Sequence, residues 1–328
     1  MTHALIMADI EGIAGIYNLT DNEKAGKLYT QEIEVYIKAL SESGVKRITI
    51  CDAHNEGNMI NPEIIKEYNV GSRSINLVSQ AKNIPLDEKY DFAFMVGYHG
   101  MEGSPGIIPH TYRFDIKEIT VWDNNRKANI PIGEVETDAR WLGSHGIPVI
   151  LVTGDREAVY EANCFNSYRM TCCTKSAFQT KMPDKTFIHK KLAQSVKLAV
   201  ELERELCISQ DNDEVAVEFY NLDILNALSD KGGTRKDNRI IFKSCADFVN
   251  NLDLVIDDLV KISKATWDAN AAFLKEVRQL VKSLRKEDVI NSEIGPLLSG
   301  SLMTLDGASR DKIKVTIKEM VCAEGCKP

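Results

Sequence analysis

Apolar residues in the first half of the chain gather into short, uninterrupted runs. Residues 3–6, 47–51, 92–96 and 148–152 each read as a strand buried on both faces, the pattern of a parallel sheet. Residues 74–79 read as a weaker strand. Between the first two runs, residues 29–43 place Ile33, Val35, Tyr36 and Leu40 at helical spacing, and Gly44 closes the segment. A strand, a helix and a strand joined by short connections form a βαβ unit. Residues 116–122 and 128–132 flank Asp123, Asn124, Asn125 and Arg126 as a hairpin. Gly133 and Glu134 open a helix that runs to Leu142 and is closed by Gly143, and Asp155 N-caps another through Ala162.

Beyond Pro183 the pattern changes. Residues 185–207 read as one helix striped by Leu192, Val196 and Val200. Residues 215–220 alternate like a strand, and residues 247–284 read as helix. The expected fold class is α/β: a mainly parallel central sheet flanked by helices, with a smaller mixed α+β region towards the C-terminus. Three parts are expected: an α/β core over residues 1–183, a helical and mixed region for packing and oligomerisation over 184–284, and a C-terminal extension over 285–328 with no functional reading.

Composition narrows the functional classes. The 328 residues carry a net charge of -8 and no Lys/Arg run, which argues against nucleic-acid and anionic-membrane partners. No apolar stretch approaches the ~20 residues of a membrane helix, and the run ending at Asp9 is too short for a signal-peptide core. The eight cysteines are scattered, with Cys172 and Cys173 adjacent, which suits reduced thiols in a cytoplasm. Cys322 and Cys326 are either half a zinc site or free thiols; no second Cys/His pair lies near them in the sequence.

Candidate chemistry collects where apolar runs end. Asp9 and Glu11 lie two residues apart, so on an extended chain they share a side, and Gly12 and Gly15 then release the chain. Such a pair is a metal site or a solvated strand end. Asp52 and His54 end the second strand, and Tyr98 and His99 follow the fourth; Glu134 starts a helix just after a strand. In a parallel sheet the carboxyl ends lie along one edge, so these residues can converge. A single histidine at a strand end is ordinarily a hydrogen-bonded surface residue, but four such coincidences are less easily dismissed. Mixed His/Asp/Glu donors suit Zn²⁺, Mn²⁺ or similar ions. Five donors exceed the three protein ligands of an open catalytic zinc. They suit two ions about 3.5–4 Å apart that share a carboxylate.

The segments Asp9-Ile10-Glu11-Gly12, Asp52-Ala53-His54, Gly97-Tyr98-His99, Ser104-Pro105-Gly106 on to His110, and Gly133-Glu134 resemble, in order and spacing, the zinc-dependent D-aminopeptidases encoded with bacterial dipeptide transporters. The likeness runs from the N-terminus to about Asp155 and more loosely to about residue 280. It implies a binuclear zinc site, two ions per chain with Mn or Co as substitutes. Asp9 would bridge, with Glu11, His54, His99 and Glu134 as the other ligands. It also implies that His110 is catalytic, either carrying a proton or stabilising an oxyanion. The implied activity is removal of N-terminal D-amino acids from short peptides, in decamers of two stacked pentameric rings around an inner channel.

The chain departs from the family where Gly-Glu-x-Gly-x-Asn becomes Gly133-Glu134-Val135-Glu136-Thr137-Asp138. On a helix Glu136 faces away from Glu134, and Asp138, at i+4, shares its face. These acids either suit a helix N-terminus or, in the case of Asp138, pair with a substrate ammonium. Lys175 stands where similar enzymes carry a lysine, and is a substrate-binding or a surface residue. The expectation is a cytoplasmic metallo-aminopeptidase. The alternatives are an amidase or deacylase acting on another small amide, or a non-catalytic metal-binding ring; the intact donor set argues against the last.

Overall fold

The chain opens with β1 (His3–Ala8), all six residues of which are buried. In this computed structural model, which describes residues 2–113, 115–123, 127–179, 183–220, 222–229, 231–280, 310 and 312–316, β1 leads to α1 (Asn22–Glu42), β2 (Arg47–Asp52), α2 (Pro62–Lys66), β3 (Ser74–Ser79) and β4 (Phe92–Tyr98). Next come β5 (Ile116–Asp123), β6 (Ala128–Ile132), α3 (Glu134–Ser144), β7 (Val149–Asp155), α4 (Arg156–Phe165), β8 (Met170–Lys175) and α5 (Lys185–Ala199). The chain continues through β9 (Val215–Phe219), α6 (Leu222–Ser229), β10 (Thr234–Lys236), β11 (Arg239–Phe242) and α7 (Cys245–Leu280). Residues 281–284 of the expected last helix, Cys322 and Cys326, and residues 285–328 apart from 310 and 312–316 lie outside the described residues.

Two compact units are distinguished. One comprises Met1–Tyr112, Glu118–Val215 and Phe242–Asn250. It holds an all-parallel sheet of strand order β3-β2-β1-β4-β7-β8 and the antiparallel pairing of β5 with β6, in which Ile119 faces Ile132. The other comprises Arg113–Lys117, Ala216–Ile241 and Asn251–Pro328. It includes α6 and the antiparallel β10–β11 hairpin. The α/β expectation is therefore met, with a parallel sheet flanked by helices and, in addition, antiparallel strands.

The register of the parallel sheet aligns its carboxyl ends. Ala8 pairs with Asp52 on one side and with Val96 on the other, and Tyr98 pairs with Gly154. Chain order runs outward from β1 to β2 and β3, then returns to place β4 on the opposite flank of β1. Strand order reverses there, and a reversal opens a crevice beyond the carboxyl ends, where open α/β sheets bind ligands. Beneath it, Ile6, Ile33, Tyr36, Leu40, Phe94, Leu151, Leu192 and Val196 form one buried cluster. Among the described residues no helix is long and apolar enough to cross a membrane.

Two helices differ from the expected ones. α1 starts at Asn22 rather than residue 29, because Asp21 caps it by accepting the Lys24 N–H and Ala25 is already buried. The segment 185–207 is not one helix. α5 ends at Ala199, where the N–H groups of Glu201 and Leu202 tighten onto the carbonyls of Leu198 and Ala199. A separate 3₁₀ turn follows at Arg204–Cys207, its Leu206 carbonyl taken by the Asn166 side chain at 3.0 Å.

Candidate metal centre

Each candidate donor leaves an element whose position the sheet fixes. Asp9 follows β1 directly and anchors through its N–H to the Val96 carbonyl at 2.8 Å; the Gly12 N–H repeats this to the Gly97 carbonyl at 2.7 Å. The loop carrying Glu11 therefore lies against the end of β4 with no room for side chains. A Cβ on Gly12 would sit 1.9 Å from the Tyr98 oxygen. One on Gly97, which has φ +74°, would sit 2.1 Å from the Asp9 oxygen. These two glycines permit the approach that brings Asp9 and Glu11 beside the residue after β4, His99.

The donors meet in one buried place. His54 Nδ1 lies 3.2 Å from Asp9 Oδ1 and 3.2 Å from Glu11 Oε2. His99 Nε2 lies 3.3 Å from Asp9 Oδ2 and 3.3 Å from Glu134 Oε1. The other ring nitrogen of His99 is 3.0 Å from the Gly100 carbonyl; donating there orients the ring so that Nε2 is the atom facing the carboxylates. His110 stacks on His99 with ring centroids 4.1 Å apart. Its Nε2 is 3.8 Å from Glu11 Oε1, while Nδ1 is 3.1 Å from the Ile108 carbonyl. Between them the loop closes on itself, the His110 N–H reaching the Gly100 carbonyl at 3.2 Å.

Three clusters result whose donor atoms lie within 4.8 Å of one another: Asp9–Glu11–His54, Asp9–His99–Glu134 and Glu11–His99–His110. Asp9 is common to the first two. Asp9 Oδ2, Glu11 Oε2 and His99 Nε2 are buried without a hydrogen-bond partner, a costly arrangement that a cation relieves. The donor set, three carboxylates and up to three imidazoles, fits divalent ions such as zinc.

Electrostatics point the same way. Burial opposes a charge on His54, yet the carboxylates of Asp9, which it meets in a hydrogen bond, and of Glu11 outweigh it and hold the ring's pKa up to about 10. His99 is likewise pushed well up in spite of burial, by Glu134 and Asp9. Burial and the neighbouring Glu11 raise Asp9. Glu11, although buried, is drawn down to about 2 by His54 and His99. Carboxylates packed this closely in a dry site demand positive charge, from protons or from metal.

A family model described as D-aminopeptidase matches residues 3–253. The chain belongs to the D-aminopeptidase family. The D-aminopeptidase of Bacillus subtilis (strain 168) is 26% identical over 162 residues, covering 47% of this chain and 56% of that protein. The match thus spans little more than half of that relative's length. The solved structure of the Zn-dependent D-aminopeptidase DppA from Bacillus subtilis, a self-compartmentalizing protease, shares the fold with a TM-score of 0.64 at 20% identity, over 77% of this chain and 97% of that one.

Two further candidates sit behind the donors. Asp138 is buried; its Oδ2 accepts the Tyr98 hydroxyl at 2.6 Å and its Oδ1 the Tyr112 hydroxyl at 2.5 Å. Burial, then the Asp138 charge, raises both phenols well above their ordinary value, so both remain donors. Lys175 has no exposed surface. Its ammonium donates to the carbonyls of Glu11 and Ile16, bracing the donor-bearing loop from beneath, and burial lowers it to about 8. Glu136 turns away to Arg140, 2.9 Å from its Nε, and Arg169.

The sequence reading had no signal for Glu161. Its Oε1 accepts the N–H groups of Gly133 at 2.7 Å and Glu136 at 3.0 Å, capping α3 from another helix. Burial pushes this carboxyl up to about 7. A Cβ on Gly133 would come within 2.5 Å of Glu161 Oε2, so the glycine before Glu134 makes room for the cap.

Proposed function

We propose that this chain is a binuclear, zinc-dependent aminopeptidase that releases N-terminal D-amino acids from short peptides. The observation that carries the reading is Asp9, a single carboxylate common to the donor clusters Asp9–Glu11–His54 and Asp9–His99–Glu134. Asp9, Glu11 and His54 would hold one ion, and Asp9, His99 and Glu134 the other. When bound, such ions supply Lewis acidity and lower the pKa of water towards neutrality. Zinc and the D-configuration are supported by the names of the relatives rather than by the geometry.

The chain's own groups do the rest. His110 stands beside the donors, its ring oriented by the stack on His99 and by the Ile108 carbonyl. From there Nε2 would take a proton from attacking water and return it to the departing amine, or hydrogen-bond the oxyanion. A substrate's free α-amino group would bind one of the ions or a nearby carboxylate, which would account for exopeptidase action. Tyr112, whose N–H binds Glu134 at 2.5 Å, walls off that side. A ring-shaped homo-oligomer, of about ten chains by family resemblance, would limit access to short peptides; light scattering at micromolar concentration should report it. Cys164, Cys172, Cys173, Cys207 and Cys245 carry free thiols, which supports a cytoplasmic setting.

The reading is tested on D- and L-aminoacyl amides and their N-acylated counterparts, with and without added Zn²⁺. Metal-dependent hydrolysis of the D-aminoacyl amides alone is expected. Equal hydrolysis of N-acylated substrates would indicate an amidase or deacylase, and no turnover at all a non-catalytic metal protein.

A further inference from the structure

Tyr112 adopts φ +56°, a left-handed conformation that a bulky side chain rarely takes unless its surroundings force it. Three contacts do so. The Tyr112 N–H donates to Glu134 Oε1 at 2.5 Å, its hydroxyl donates to Asp138 Oδ1 at 2.5 Å, and its ring meets Phe248 edge-on with centroids 5.7 Å apart. Glu134 and Asp138 are four residues apart on α3 and so share a face. One helix face therefore grips both ends of a single tyrosine: Glu134 at the backbone, Asp138 at the phenol. The second oxygen of Asp138 takes the Tyr98 hydroxyl, and Tyr98 directly precedes His99. Tyr112 itself lies two residues after His110.

We propose that Asp138 is a positioning residue of the metal centre. By accepting the Tyr98 and Tyr112 hydroxyls, it keeps Tyr112 left-handed, so that the Tyr112 N–H orients the Glu134 carboxylate and the end of the His110 loop is fixed. Asp138 makes this contribution without touching substrate or metal. Its two oxygens are already bound to phenols, and it is buried with 2% exposure, which leaves it poorly placed to receive a substrate ammonium. The inference rests on the metal-centre reading above. It adds that the support of that centre runs through hydrogen bonds to a carboxylate one helical turn further on.

The test uses Co²⁺ alone, titrated into metal-free full-length protein and followed by its visible absorption, together with kcat and KM on the best aminoacyl amide. Asp138→Ala and Tyr112→Phe should each weaken Co²⁺ binding at least about tenfold. They should lower kcat by a similar factor, with KM within about twofold. Asp138→Asn should restore most of both, since an amide can accept from one phenol and donate to the other. If Asp138→Ala does not fold, Tyr112→Phe, which loses a single oxygen, decides the matter. Unchanged Co²⁺ affinity in the folded variants would overturn the inference. So would a raised KM with kcat and Co²⁺ binding unaltered, the signature of a substrate contact. Wild-type protein that takes up no Co²⁺ would instead remove the metal-centre reading itself.

Discussion

Gly97→Ala is a small substitution that should have a large effect, because two penalties coincide at one atom. The residue has φ +74°, and an alanine held there costs about 1–2 kcal/mol. The new methyl would also stand 2.1 Å from the Asp9 oxygen and 2.7 Å from Ile13 Cδ1. The first contact is with backbone that cannot rotate away, so relief requires parting the β1 exit loop from β4. Overpacking of this kind costs about 1–3 kcal/mol. The sum, roughly 2–5 kcal/mol, corresponds to a fall in Tm of about 10 °C at ~2–4 °C per kcal/mol. Gly146→Ala is the matched control: its φ is +69°, but nothing lies within 4 Å of the added carbon, so only the conformational cost of ~1–2 kcal/mol remains. Thermal unfolding by circular dichroism, with both variants stripped of metal so that bound ions do not contribute, should separate them by several degrees. Zinc content should fall only in Gly97→Ala, since the displaced backbone carries Asp9. Equal Tm shifts and equal zinc would refute the claim that close backbone approach builds the site.

Replacing His110 by alanine should leave zinc content near normal while kcat falls by roughly 10²–10⁴; lost zinc would make His110 a ligand, and unchanged turnover a structural residue. Glu32→Gln should change how stability depends on pH. Burial raises the Glu32 carboxyl from 4.5 to about 7, so its folded pKa lies above its unfolded one. The stability it contributes is present below the unfolded value and lost as pH rises through the folded one. In urea unfolding the wild type should therefore lose about 2–3 kcal/mol relative to Glu32→Gln between pH 4.5 and 8, at ~1.4 kcal/mol per unit; parallel pH profiles would contradict this. The amide oxygen of the variant can still accept the Ala14 N–H that Glu32 holds at 2.9 Å.

The parts of the fold that could be read in advance are those whose local pattern and burial coincide. β1, β2, β4 and β7 are buried along almost their whole length and mostly apolar because helices cover both faces of a parallel sheet, and their ends disclosed Asp9, His54 and His99. β8 escaped notice because Met170, Thr171, Cys172, Cys173, Thr174 and Lys175 lie at the sheet edge, partly buried and mixed in polarity. The 3₁₀ turn that replaces the expected end of that helix is held by Asn166, far back in the chain, through the Leu206 carbonyl, a contact that no helical periodicity records. The support of the site was illegible for the same reason. Glu161 caps a helix 28 residues away, and Lys175 binds a carbonyl 164 residues away. A lysine that looks like a surface residue in sequence is thus a buried brace, and Asp138, apparently an extra helix acid, is the acceptor of two phenols.

The sharing of Asp9 between two donor clusters is the central claim, and metal stoichiometry tests it most directly. Protein purified without chelator, saturated with Zn²⁺ and freed of excess by gel filtration, should carry two zinc ions per chain by elemental analysis. Glu134→Ala, prepared identically, should retain about one, because it removes an anionic donor from the Asp9–His99–Glu134 cluster and leaves Asp9–Glu11–His54 intact. A single ion in the wild type, or two in Glu134→Ala, would contradict the account.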